Sequence, residues 1–206
     1  MSTTYDFDDG NGPVPAHQHP NGGGWVADTA SVAETAFIGR GARVFGNACV
    51  SDNARVYHDA FVCHNACVYG DAWVYGGAGV SCAARVFGNA RVYDNAQVYD
   101  NARVFENAQV FGSAWVFDGG RVSNNARVYG HAQVYGTAHV FGDAQVYDRA
   151  RVLNQAWVYD KARVFGNARV ISNARVFEEA CVYADALVSG VVWMFDNTKA
   201  QKEMAK

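Results

Sequence analysis

The sequence predicts an all-β, single-domain parallel β-solenoid, and three observations carry that prediction. One six-residue word recurs without insertion or deletion, as in residues 89–112, NARVYDNAQVYDNARVFENAQVFG. Its fourth place is Val at 44 and at every sixth residue to 188, 25 times in succession. Its second place is Ala in 26 of 29 words, with Gly24, Gly120 and Val192 as the exceptions. The frame reaches back through Ile38, Val32 and Val26 and forward to Met194, so residues 24–196 are expected to form one repeat region with no internal domain boundary.

Strand alternation explains the word. With positions numbered 1 to 6 as Asn-Ala-Arg-Val-Tyr-Gly, Ala and Val point one way and Arg and Tyr the other. Position 3 is Arg in 11 words, and unpartnered charges are not buried. Ala and Val therefore form the interior, and the Arg and aromatic columns face out. Positions 6 and 1 are mostly Gly, Asp and Asn, which tolerate the tight, left-handed backbone of a corner. No single word buries its Val, but coils stacked about 4.8 Å apart do. A helix is excluded because a six-residue period walks Val around the cylinder. A four-sided pentapeptide solenoid is excluded by the same period.

An aliphatic residue every six, with a small residue two places before it, resembles the hexapeptide repeat of the left-handed parallel β-helix. The N-A-R-V-[YF]-[GD] spelling is similar to the YdcK-like β-solenoid branch. The resemblance spans residues 24–196. It implies three words per triangular coil, hence nine to ten coils, left-handed coiling against the usual crossover rule, and self-association into trimers through solenoid faces.

The ends differ from the body. Residues 1–23 hold all three Pro and no hexad, and are expected to cap the open first coil, whose unpaired edge would otherwise recruit another chain. Trp193, Met194 and Phe195 are expected to plug the last coil. Residues 197–206, NTKAQKEMAK, are expected to be a tail, with a short helix as one option.

Composition bounds the function. The net charge is −3 over 206 residues, which argues against a non-specific nucleic-acid binder. No apolar run is long enough for a membrane span, and the acidic start MSTTYDFDDG does not read as a secretory signal. Five Cys (Cys49, Cys63, Cys67, Cys82 and Cys181) form no framework and read as free thiols, so a cytoplasmic protein is expected.

Read in steps of 18, one face carries an unbroken aromatic column of Tyr57, Tyr75, Tyr93, Phe111, Tyr129, Tyr147, Phe165 and Tyr183. Beside it Arg55, Arg91, Arg127 and Arg163 alternate with Trp73, Gln109 and Gln145. A second face has Arg85, Arg103 and Arg121 in succession, and the third is irregular. Such ladders stabilise stacked strands, and an aromatic stripe left bare also marks an interface. Lys and Arg total 14 and Asp and Glu 16 in the hexads, from which no strongly basic face is expected.

The function these columns suggest is a non-enzymatic rigid scaffold presenting an Arg/Gln-aromatic surface to a protein or polymer partner, with no cofactor. The alternative, implied by the family resemblance, is an acyltransferase using acetyl-CoA or another acyl-CoA, with His139 or His131 as general base. The uninterrupted hexads favour the scaffold. Hexapeptide-type carbonic anhydrases gather three His between subunits, but His58 and His64 fall on different corners and show no such pattern. His17 and His19 are the candidate metal ligands of the cap, set against a role in fixing the lid. Asp6-Phe7-Asp8-Asp9-Gly10 lacks the later ligands of a calcium loop. Cys49 and Cys67 lie one coil apart, where packing is the expected role.

Overall fold

The computed structural model describes residues 3–195 and the backbone of Lys199–Ala200. From Trp25 onward each word contributes one short strand at positions 3 and 4, and each strand pairs in parallel with the strand three words away. Arg91–Val92, for example, lies between Trp73–Val74 and Gln109–Val110. A coil is therefore three words, or 18 residues. Consecutive words pass to consecutive sheets, giving a three-sided solenoid of about nine turns with no helix among the described residues. The first sheet carries the words of Trp25, Arg43 and Phe61, the second those of Ser31, Cys49 and Cys67, and the third those of Phe37, Arg55 and Trp73.

The core follows from the alternation. Every Ala at position 2 and every aliphatic residue at position 4 from Ala36 to Val188 is fully buried. The cluster they form contains only Ala, Val, Ile38 and Met194, so no side chain inside it offers a hydrogen bond. Two of the words without Ala have a steric reason. A Cβ on Gly24 would sit 2.5 Å from the Gly39 carbonyl oxygen, and one on Gly120 would sit 2.6 Å from that of Val134.

The corners bend at one residue. Position 6 has positive φ in every word from Gly46 to Gly190, and 15 of those 25 residues carry a Cβ. That conformation costs about 1–2 kcal/mol for most L-residues, and less for Asn and Asp. Stacking supplies a compensation. The side chain at position 6 accepts a hydrogen bond from the backbone N–H of position 6 one coil on, as from Gly70 to Asp52 (2.9 Å), Gly112 to Asp94 (3.1 Å) and Gly166 to Asp148 (3.1 Å). Position 1 donates its N–H to the next coil's position-6 carbonyl, as from Asn95 to Gly112 (2.8 Å). Corner amides that a two-residue strand leaves unpaired are thereby satisfied.

At the N-terminal end Thr4–Tyr5 (β1) and Val14–Gln18 (β2) form an antiparallel pair, and β2 pairs antiparallel with Trp25–Ala27 (β3). Phe7 is buried and stacks on Phe45, while Tyr5 stacks on Trp25. Arg43 fastens the acidic segment by donating to the Phe7 carbonyl (3.0 Å) and the Asp8 carboxylate (3.1 Å). At the other end the expected plug reduces to Met194. Trp193 is 59% and Phe195 52% exposed, because positions 3 and 5 point outward in the last word as in every other. Of the tail, only Lys199–Ala200 is described. Its backbone is a strand paired with Cys181–Val182 rather than a helix, and 201–206 lie outside the described residues.

Candidate functional site

The three-sided geometry sorts the charges. All 15 Asp and Glu of residues 24–195 stand at positions 6 and 1, which are corners. All 11 Arg at position 3 stand on the flat faces, and only Arg40, Arg149 and Lys161 join the acids at the corners. The near-balance of totals therefore misleads, and the expectation that no face is strongly basic is corrected. The strand faces carry positive charge alone. Several corner carboxylates are already engaged by backbone N–H groups, whereas among the described residues Arg43 alone of the face arginines has a carboxylate partner.

The third sheet shows this most clearly. Arg55, Arg91, Arg127 and Arg163 are exposed and stand two coils apart, about 10 Å on the spacing of the neighbouring rings. Among the described residues none of the four lies within ion-pair distance of a carboxylate, unlike Arg43 on Asp8. Trp73 separates the first two, with the Arg55 guanidinium carbon 5.4 Å and that of Arg91 5.0 Å from its ring centre. These contacts orient both groups without neutralising them.

A groove of about 740 Å³ runs beside this column. One wall is the position-3 series Phe37, Arg55, Trp73 and Arg91, and the other is the corner series Thr35, Asn53, Asp71, Asn89 and Asn107. The corner residues form a ladder in which Asn53 donates to Asp71 (3.1 Å), Asn89 to Asn107 (3.2 Å), Asn107 to Asn125 (3.2 Å) and Asn125 to Asp143 (3.0 Å). Asn21 of the N-terminal segment closes the end, donating to the Ala36 carbonyl (3.0 Å). Reading the sequence by positions 3 and 5 missed this wall. Position 1 read in steps of 18 carries it, as Asn53, Asp71, Asn89, Asn107, Asn125 and Asp143.

The aromatic column lies on the other side of the arginines. Tyr57, Tyr75, Tyr93, Phe111, Tyr129, Tyr147, Phe165 and Tyr183 stack face to face, with centroids 4.8–5.3 Å apart. Each ring is half-buried, and burial pushes the Tyr57, Tyr75, Tyr93, Tyr129 and Tyr147 phenols above their ordinary value. Arg55 and Arg91 place their guanidinia on Trp73 rather than on these rings. Arg175 does the same on the second sheet, between Trp157 (4.8 Å) and Trp193 (5.4 Å).

The remaining candidates are scattered. His139 stacks on Trp157 at 5.4 Å, and burial, then the Arg121 charge, hold its imidazole below the usual histidine range. His131 is an exposed corner residue. His17 pairs with Asp28 at 2.9 Å, which ties the lid to the first coil, and buried His19 faces the Asn21 carbonyl at 3.3 Å within the lid. Among the described residues no three His, Cys, Asp or Glu converge on a point that would hold a metal ion. Cys49 and Cys67 stand in register as free thiols. Burial pushes the Cys63 thiol to about 12, so it stays protonated and inert.

Fold and surface together define a capped, three-sided β-solenoid of uninterrupted hexads, with basic faces and acidic corners. Residues 84–98, 96–112 and 144–160 each match the YdcK Beta solenoid repeat, and the chain is a β-solenoid carrying that repeat. No curated protein and no solved structure gives a significant match.

Proposed function

We propose that the chain works without catalysis, as a rigid scaffold whose third face is a recognition surface for a protein or polymer partner. The observation that supports this is the series Arg55, Arg91, Arg127 and Arg163, fixed in register by the strand ladder and left without carboxylate partners among the described residues. Rigid elements hold such a surface at a small entropy cost on binding. Self-association into trimers, as the resemblance implies, is compatible with this role, since a three-sided rod has faces to share.

A photo-crosslinking amino acid placed in turn at Gln109 on the third face, Gln97 on the first and Ser123 on the second tests the reading in extracts of expressing cells. A discrete adduct from Gln109 alone is expected. Equal labelling from all three positions would remove the case for a dedicated face. Calorimetry with acetyl-CoA is expected to show no heat, and micromolar binding would overturn the non-catalytic assignment. Sedimentation reports the assembly directly, with a mass three times that of the chain expected.

A further inference from the structure

The third face carries a longer period than its coil. At the coils of Arg55, Arg91 and Arg127 the corner residue beside the arginine is Asn53, Asn89 and Asn125, and the pattern ends at Arg163, where it is Lys161. At the intervening coils of Trp73, Gln109 and Gln145 it is Asp71, Asn107 and Asp143. A cationic step with a neutral carboxamide thus alternates with a step whose face residue is uncharged and whose corner residue, a carboxylate at Asp71 and Asp143 and a carboxamide at Asn107, accepts a hydrogen bond from the coil before. The repeat is two coils, or 36 residues, and about 10 Å along the axis.

The same face excludes recognition by ring stacking. Rings of the aromatic column already lie 4.8–5.3 Å apart and nearly parallel, so no base or sugar ring fits between them. Trp73 has a guanidinium from the coil on either side against its ring. Single-stranded nucleic acid is held largely by stacking on free aromatic faces, and this surface does not offer them. What it offers is guanidinium forks for anions and a ladder of carboxamides, whose second N–H and spare carbonyl lone pair remain for hydroxyl groups.

We infer that the groove between the Arg55–Trp73–Arg91 column and the Asn53–Asp71–Asn89 ladder binds a linear acidic polysaccharide in which charged and neutral sugars alternate. An extended disaccharide matches the two-coil step. Each carboxylate meets one arginine, and each neutral sugar presents hydroxyls to Asp71 or Asn107, with Arg127 and Asp143 continuing the pattern beyond the groove. The inference rests on the third face being the recognition surface, and it adds the ligand class and the spacing rule.

The test uses the full chain and four probes matched in number of charges: hyaluronan oligosaccharides, with one carboxylate per disaccharide; polygalacturonate oligomers, with one per sugar; oligo(dT); and poly-glutamate. Hyaluronan is expected to bind tightest. Its affinity should fall as salt rises from about 50 to about 200 mM, as screening weakens each guanidinium–carboxylate contact. Replacing Arg55, Arg91, Arg127 and Arg163 together by Gln is expected to abolish that salt dependence while circular dichroism stays unchanged. Replacing Arg85, Arg103 and Arg121 on the second face serves as the control and should leave binding intact. Equal affinity for all four polyanions would overturn the spacing rule, and preference for oligo(dT) would replace the sugar by nucleic acid. Absence of binding by every probe would overturn the ligand class. The scaffold reading would then still stand or fall on crosslinking from Gln109.

Discussion

Val104→Asp tests the interior most severely. Val104 is fully buried, in register with Val86 and Val122, in a core that holds only Ala, Val, Ile38 and Met194. The substitution forfeits about 1.5–3 kcal/mol of side-chain burial. It also places a carboxylate where no cation or donor side chain reaches, at a cost of several kcal/mol whether it stays ionised or takes up a proton. A total above about 5 kcal/mol rivals the roughly 5–15 kcal/mol stability of a whole domain. Each coil in a solenoid contacts only its neighbours, so the damage is expected to split the rod near residue 104. Val104→Ala, at about 2 kcal/mol, is the graded control. The assay is thermal unfolding by circular dichroism with limited proteolysis. Loss of the cooperative transition and cleavage near residue 104 are expected for Val104→Asp. A soluble variant melting cooperatively near the wild-type temperature would refute the inward direction of position 4.

At the corner, Asp94→Ala is expected to cost about 1–2 kcal/mol, because it loses the hydrogen bond from Gly112 and keeps a Cβ in the left-handed region. Asp94→Gly loses the same bond but relieves the strain, so it should be the milder change; equal losses in denaturant melts would discard the strain argument. Alkaline pH should loosen the aromatic column. Its half-buried phenols hold their protons more tightly folded than unfolded, so stability is complete below the ordinary tyrosine value of 10.0 and falls as pH rises beyond it. Melting followed from pH 8 to 11 should show that decline, and Tyr75→Phe with Tyr93→Phe should flatten it; an unchanged slope would point to other groups.

The fold was legible because one constraint recurs in every word. A fixed Val and Ala two apart define the buried side of a strand, and Asn, Asp and Gly define the bend. The 18-residue coil entered through the resemblance, and the register of Arg91 on Gln109 agrees with it. The plug at Trp193 and Phe195 was misjudged because bulk was weighed above alternation. The groove was harder to read. Its Asn wall sits at position 1, where a turn residue looks purely conformational, and its ladder hydrogen bonds join residues 18 apart. Charge was misread for a related reason. A sum over the chain cannot show that the acids stand at corners, some of them engaged by backbone amides, while the arginines stand on faces.

That division of labour is the central claim, and paired thermal unfolding tests it most directly. Arg127→Gln with Arg163→Gln removes two face charges that make no ion pair among the described residues, and the melting temperature should stay within about 2 °C of wild type. Asp94→Ala with Asp148→Ala removes two corner acceptors at about 1–2 kcal/mol each, and the melting temperature should fall by roughly 4–16 °C. The opposite order, with the arginine pair the more damaging, would contradict the account by making the face charges part of the fold rather than groups left free for a ligand.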